Sequence, residues 1–358
     1  MANLPLVIQT ALDELAAHYE SFEQNDRGAN GYLFFATNRI TKAAIAIKFY
    51  AGEYGAARHD EPTQLSAIRS KNVLPILDAR NVSDEWGYFI TPRCFEGDLD
   101  DLIAEQPSAH HAIDVALGIC NGVSAIHALK MLHRDLKPGN IVLLNGNPQI
   151  ADFGSVRILE NEDGTVSASR HSILFRPPES FAESRYSMKG DLYQIGIVTF
   201  QILGGNLPYD GEEYLSAKEL KQYKSLKDHA DRSIFIDTVI KNKIIKGELI
   251  NLRTLPPWIG GSAKRALRAI LNPDPASRVS TIADVAAELT QIRASVANWQ
   301  WNGDIAKLTT PGRIVEIRQT DDDHNFYLPY VSKDGGPFRK APGMSAAPLA
   351  ELVDKFSA

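Results

Sequence analysis

Short apolar runs punctuated by polar turns fill the first quarter of the chain, and longer stretches with helical spacing fill much of the rest. Tyr32 to Ala36 (YLFFA) and Ala43 to Phe49 (AAIAIKF) are separated by TNRITK, the pattern of two strands joined by a tight turn. Ahead of them, between Pro5 and Tyr19, Leu6, Ala11, Leu12 and Leu15 stand at helical spacings and predict one amphipathic packing helix. After Ser108, a good N-cap, the spacing predicts helices over Ala109–Lys130, Leu192–Leu203, Ala263–Leu271 and Thr281–Ile292. The helical pattern ends near Trp299 and Trp301. Beyond it RIVEIR and NFYLPYV read as strands, KDGG as a turn, and LAELVDKF places Leu349, Leu352, Val353 and Phe356 at i, i+3, i+4, i+7. The expectation is an α+β chain: a small β-rich lobe, a large α-helical lobe and a small ββα C-terminal module.

Composition narrows the function classes. A chain of 358 residues has room for two or three domains, and its apolar and charged fractions are those of a folded globular protein. Lys and Arg total 38 against 44 Asp and Glu, a net charge of −6 that gives no reason to expect nucleic acid or an anionic membrane as partner. The tail from 302 onward carries seven basic and eight acidic residues, and its DDDH run (Asp321–His324) reads as a solvated turn. Two cysteines, Cys94 and Cys120, are too few for a disulfide scaffold and point to a reducing compartment. No apolar run reaches the length of a membrane span, and the first residues lack a basic leader pattern, so a cytoplasmic protein is expected.

The sharpest chemical signal is HRDLKPGN, His133 to Asn140, followed twelve residues later by DFG, Asp152 to Gly154. Phosphoryl transfer needs a carboxylate at the attacking hydroxyl and oxygen ligands for the metal that neutralises the phosphates, and Asp135, Asn140 and Asp152 supply that set. On these motifs the chain, from about residue 18 to 293, resembles the eukaryotic-type Ser/Thr protein kinase family. The resemblance implies a bilobal kinase-like fold, ATP and Mg²⁺ (or Mn²⁺) as cofactors, and a protein substrate. It also implies that Asp135 positions the acceptor hydroxyl and that Asn140 and Asp152 hold the metal.

Other residues extend the resemblance. DRGANGYLFFA looks like the family's glycine-rich loop with Gly28 and Gly31 in the second and third glycine positions and Asp26 in the first. Seventeen residues on, Lys48 in AIAIK matches the lysine that meets the α- and β-phosphates and pairs with a helical Glu. Glu61 in EPTQLSAIRS is the candidate partner, with Pro62 requiring that helix to start at about Glu61 and to be short. In WGYFITPRCFEGDLDDLI, Thr91 stands where the family guards its back pocket. The backbone groups of Pro92 and Cys94 take the adenine-binding places, and Asp98 falls where an acid meets the ribose.

The segment from Asp152 to Glu179 ends in PPE, where Ser172 stands in the substrate-positioning loop and Lys137 is the lysine typical of the Ser/Thr-specific branch. Asp191 corresponds to the buried acid behind the catalytic loop, and Arg278 to the partner of Glu179. Arg134, before Asp135, corresponds to an arginine that meets a phosphate on this segment, with Thr165, Ser167 and Ser169 as acceptors. The expected domains are a helical extension over 1–17 and a kinase domain over 18–293, with its small lobe to about 91, hinge at about 92–97 and large lobe from about 98. A linker and accessory module follow over 294–358. Two other readings share parts of this pattern. A pseudokinase used as an interaction module is suggested by Asp26 and Pro62, and an aminoglycoside-phosphotransferase-type enzyme by the lobes and the HxD loop. Glu179, Arg278 and Lys137 separate the chain from the second of these.

Overall fold

The computed structural model describes residues 4–25, 31–51, 60–159, 165–167, 173–182 and 185–357. Its small lobe is an antiparallel sheet of β1 (Tyr19–Asn25), β2 (Tyr32–Asn38), β3 (Ala44–Ala51), β4 (Asp78–Asn81) and β5 (Trp86–Pro92), in the order β1-β2-β3-β5-β4. The period of two along a strand sorts the residues to the two faces. Phe34 and Ala36 of β2, Ile45, Ile47 and Phe49 of β3, and Tyr88 and Ile90 of β5 pack with Ile8, Ala11, Leu12 and Leu15 of α1 (Leu6–Leu15). The intervening Leu33, Phe35, Ala46, Lys48, Phe89 and Thr91 point into the cleft beneath the sheet. The N-terminal helix is therefore the cover of the sheet's outer face. The helix α2 (Asp60–Ala67) is short and carries Pro62 in its first turn, as the sequence required.

The large lobe begins at α3 (Leu99–Ala104), held by a capping box between Asp98 and Asp101, and α4 (Ala109–Ala128), N-capped by Ser108. Beneath them lie β6 (Met131–Leu132), the hairpin β7 (Ile141–Leu144) and β8 (Asn147–Ile150), and β9 (Arg157–Ile158), which pairs with β6. The hairpin turns on Asn145 and Gly146, both at positive φ, the chemistry a two-residue turn demands. Further on, β10 (Val166–Ser167) pairs with β11 (Arg185–Tyr186), with α5 (Glu179–Ala182) between them. The expected helices are present as α6 (Met188–Ile202), α9 (Gly261–Ile270) and α10 (Ile282–Ser295). Two more, α7 (Ala217–Ser225) and α8 (His229–Ile245), escaped the periodicity because α7 buries no residue and α8 buries only Val239, Ile240 and Ile244 near its end.

The C-terminal module differs in strand number from the expected ββα unit. The two foreseen strands, β14 (Arg313–Gln319) and β15 (Tyr327–Lys333), and the helix α11 (Leu349–Ser357) are there. They belong to a five-stranded antiparallel meander that also contains β12 (Trp299–Asn302), β13 (Ile305–Thr310) and β16 (Arg339–Lys340). The extra strands are short and mixed in polarity, and they gain their partners only through the register of the sheet. Trp299 is fully buried, stacks on Trp258 of the large lobe at 6.0 Å and donates its indole N–H to Ser357 at 2.8 Å. One continuous apolar core therefore runs from the large lobe into the module.

Candidate active site

A cleft of about 440 Å³ separates the lobes, a size suited to a small-molecule ligand. Its roof is the inner face of β2, β3 and β5, and its floor is the loop between β6 and β7 together with Ala151 and Asp152. Gly31 lies at the mouth with φ +138°, where any side chain would collide with the Phe49 carbonyl. Gly28 and Asp26 lie outside the described residues. At the back, Thr91 is buried opposite Ala46. Pro92 and Cys94 line the hinge wall, and burial, reinforced by Glu96, pushes the Cys94 thiol up to about 11. Asp98 also lines the cleft, and its carboxylate caps α3 by accepting from the Asp100 and Asp101 amides at 2.9 and 3.2 Å.

The loop at the floor brings three sequence-predicted residues together. Asp135 Oδ2 accepts from Lys137 Nζ at 2.8 Å and from Asn140 Nδ2 at 2.9 Å, and the same Asn140 amide donates to the Asp135 carbonyl at 2.7 Å. Both amide hydrogens of Asn140 are thus spent on Asp135, which turns its oxygen away from that residue. Across the cleft, Asp152 Oδ1 stands 3.5 Å from Lys48 Nζ. Burial acts to raise the Asp152 carboxyl, but Lys48, His133, the Gly154 amide and Lys137 outweigh it and hold the group below the ordinary carboxylate range. Asp152 and Arg134 are both at positive φ, strain that the surrounding contacts maintain. Glu61 is the second residue of α2, and its side chain lies outside the described part, as does the pairing with Lys48.

The floor is anchored from below. Asp191 is fully buried and accepts from the backbone N–H of His133 at 3.0 Å and of Arg134 at 2.9 Å, from Tyr186 Oη at 3.0 Å and from His127 Nε2 at 2.8 Å. Burial would raise its carboxyl, and the His127 hydrogen bond and charge reverse the direction. Gln194, which nothing in the sequence pattern singled out, accepts from the Leu136 N–H at 2.9 Å and donates to the carbonyls of Arg134 and Phe175. The bonds to His133, Arg134 and Leu136 hold the backbone of the 133–140 loop, and those to Tyr186, His127 and Phe175 tie that anchor to the elements around it. Arg278 grips Glu179 with two bonds, at 2.8 and 2.9 Å, tying the end of the 152–179 segment to the large lobe. Ser169 and Ser172 lie outside the described residues.

A five-stranded small lobe, a helical large lobe and an interlobe cleft floored by the 133–140 loop and Asp152 define a bilobal, kinase-like fold. Residues 19–292 match the protein kinase domain model, and the chain belongs to that family. It is 26% identical over 276 residues to CBL-interacting serine/threonine-protein kinase 9 of Arabidopsis thaliana, covering 74% of this chain and 55% of the relative. To the serine/threonine-protein kinase PrkC of Bacillus subtilis it is 27% identical over 213 residues, 56% of this chain and 33% of the relative. To PknA of Corynebacterium glutamicum it is 26% identical over 207 residues, 53% and 43% of the two chains. The chain thus spans from a third to just over half the length of these relatives.

Proposed function

We propose that the protein transfers the γ-phosphoryl group of ATP to Ser or Thr hydroxyls of protein substrates, itself included. The observation that carries this reading is a cleft lined by Lys48, Lys137, Asn140 and Asp152, with Asp152 3.5 Å from Lys48 and the buried Asp135 carboxylate bonded to both Lys137 and Asn140 just behind that lining. In this reading Asp135 orients the acceptor hydroxyl and takes its proton, while Lys137 lies where it meets the γ-phosphate and Lys48 where it meets the α- and β-phosphates. Glu61 orients Lys48. Gly28 and Gly31 let the backbone approach the phosphates, the Pro92 carbonyl and the Cys94 backbone take the adenine, and Asp98 takes the ribose.

Asn140 and Asp152 fit a divalent ion: they offer one neutral and one anionic oxygen, the sparse set that Mg²⁺ completes with phosphates and water. Bound there, Mg²⁺ (or Mn²⁺) supplies charge neutralisation for the phosphate oxygens. The low pKa of Asp152 keeps this oxygen ionised across the physiological range. Among the described residues no helix is long and apolar enough to cross a membrane. Cys94 and Cys120 are free thiols, which fits the cytoplasm. A pseudokinase reading draws no support from the loop, since Asp135, Lys137, Asn140, Asp152 and Lys48 all keep their chemistry.

The test is incubation of the full chain with labelled ATP, Mg²⁺ and a generic Ser/Thr-containing protein, followed by phosphoamino-acid analysis. Label on phosphoserine or phosphothreonine supports the assignment. Label confined to a small-molecule acceptor, or none at all with ATP bound, overturns it.

A further inference from the structure

A second cavity, of about 420 Å³, lies at the seam between the large lobe and the C-terminal module. The lobe contributes the link between α3 and α4, the C-terminal end of α6 with its following turn, and Trp258, whereas the module contributes Trp301 and Leu349. No side chain lining it carries a charge. Two observations give the cavity an electron-rich character. Trp258 and Trp301 both form its wall, with ring centroids 5.9 Å apart and planes inclined at 32°, and indole faces attract cations more strongly than other aromatic faces do. The last turn of α6 ends there, and a helix C-terminus carries partial negative charge.

We propose that this seam cavity binds an organic amine in its ammonium form. The apolar body of the ligand lies against Trp258, Trp301 and Leu349, and the ammonium faces the indole rings and the end of α6. An anion is disfavoured, because no lysine, arginine or histidine lines the walls. A bare inorganic cation is disfavoured as well, because the lining offers no carboxylate to replace its water. The site lies apart from the interlobe cleft, and both lobe and module are needed to build it.

The probe is tryptamine, compared with its neutral counterpart tryptophol by titration calorimetry on the full chain, with ADP and Mg²⁺ present so that the nucleotide cleft does not report. Tryptamine is expected to bind about tenfold more tightly than tryptophol, the preference that a desolvated cation–π contact supports. Trp301→Leu, at a half-buried position, is expected to abolish that preference while the fold, read by circular dichroism, is kept. Equal affinity for the two probes, no binding of either, or a preference that survives Trp301→Leu would overturn the proposal; the wild-type comparison alone decides it should the variant fold poorly.

Discussion

At the scale of single residues the site is built from opposed demands on charge. Asp152 must stay ionised inside a cleft that disfavours charge, and Lys48 at 3.5 Å is the principal group that makes this possible. Cys94 shows the reverse case on the same cleft. Burial raises its pKa to about 11, so it is protonated at neutral pH, and the thiolate grows only as pH approaches that value. Alkylation by iodoacetamide at about pH 8 is therefore expected to be on the order of a hundredfold slower at Cys94 than at an ordinary free cysteine. The rate should keep rising up to about pH 11. Peptide mass spectrometry with a pH series checks this, and a plateau in rate near pH 8 to 9 would contradict it.

Among elements, the loop 133–140 was the most legible part of the chain. HRDLKPGN packs its chemistry into neighbouring residues, and its resemblance to the kinase motif singled out Asp135, Lys137 and Asn140, which the structure brings into contact. Gln194 was not legible, because its role depends on α6 passing under the loop, a contact between residues far apart in sequence. The strand β1 was missed for a related reason: YESFEQN has no apolar run and no buried residue, and only pairing with β2 makes it a strand. The clamp between Glu179 and Arg278 carries a stability prediction. Arg278 is buried, and its removal leaves the Glu179 carboxylate stranded, so Arg278→Leu is expected to cost about 3–5 kcal/mol in urea denaturation. Replacing both partners, as in Arg278→Leu with Glu179→Leu, should recover only the part due to Glu179, because the Asn272 and Lys189 carbonyls also lose the guanidinium; a double variant no better than the single would refute the clamp as a cause.

The 152–179 segment carries the control prediction. Arg134 donates Nη1 to the Ser155 carbonyl at 3.1 Å, and its Nε is buried without a partner among the described residues. Burial, and after it the nearby Arg157 guanidinium, lower the Arg134 pKa against the pull of Tyr186 and Asp191. Autophosphorylation at Thr165, Ser167 or Ser169 is expected, with activity rising as it proceeds and Arg134→Ala losing that rise. Full activity from a segment that mass spectrometry finds unmodified would remove the mechanism and leave Arg134 a structural residue.

For the whole molecule, the appended module behaves as part of the large lobe. The sequence showed two of its strands and its helix, but the stacking of Trp299 on Trp258 is a tertiary fact. A stripe of four apolar residues on α11 is too little to stabilise a unit of this size alone, and the shared core explains how it folds. Deleting 302–358 uncovers Trp258 and Trp299 and is expected to lower the melting temperature by at least ~4 °C, with nucleotide binding retained. Differential scanning fluorimetry with and without ADP checks both halves; an unchanged melting temperature would show the module to be a tethered unit.

Phosphoryl transfer through Asp135 is tested most directly by steady-state kinetics of Asp135→Asn beside the wild type, with ATP affinity measured separately by titration. Asp135 holds no part of the adenine or ribose wall in this reading, so nucleotide affinity should stay within about threefold while kcat falls by at least ~10²-fold, the loss expected when positioning and proton acceptance are removed together. Equal turnover by the two proteins would contradict the assignment of the catalytic loop.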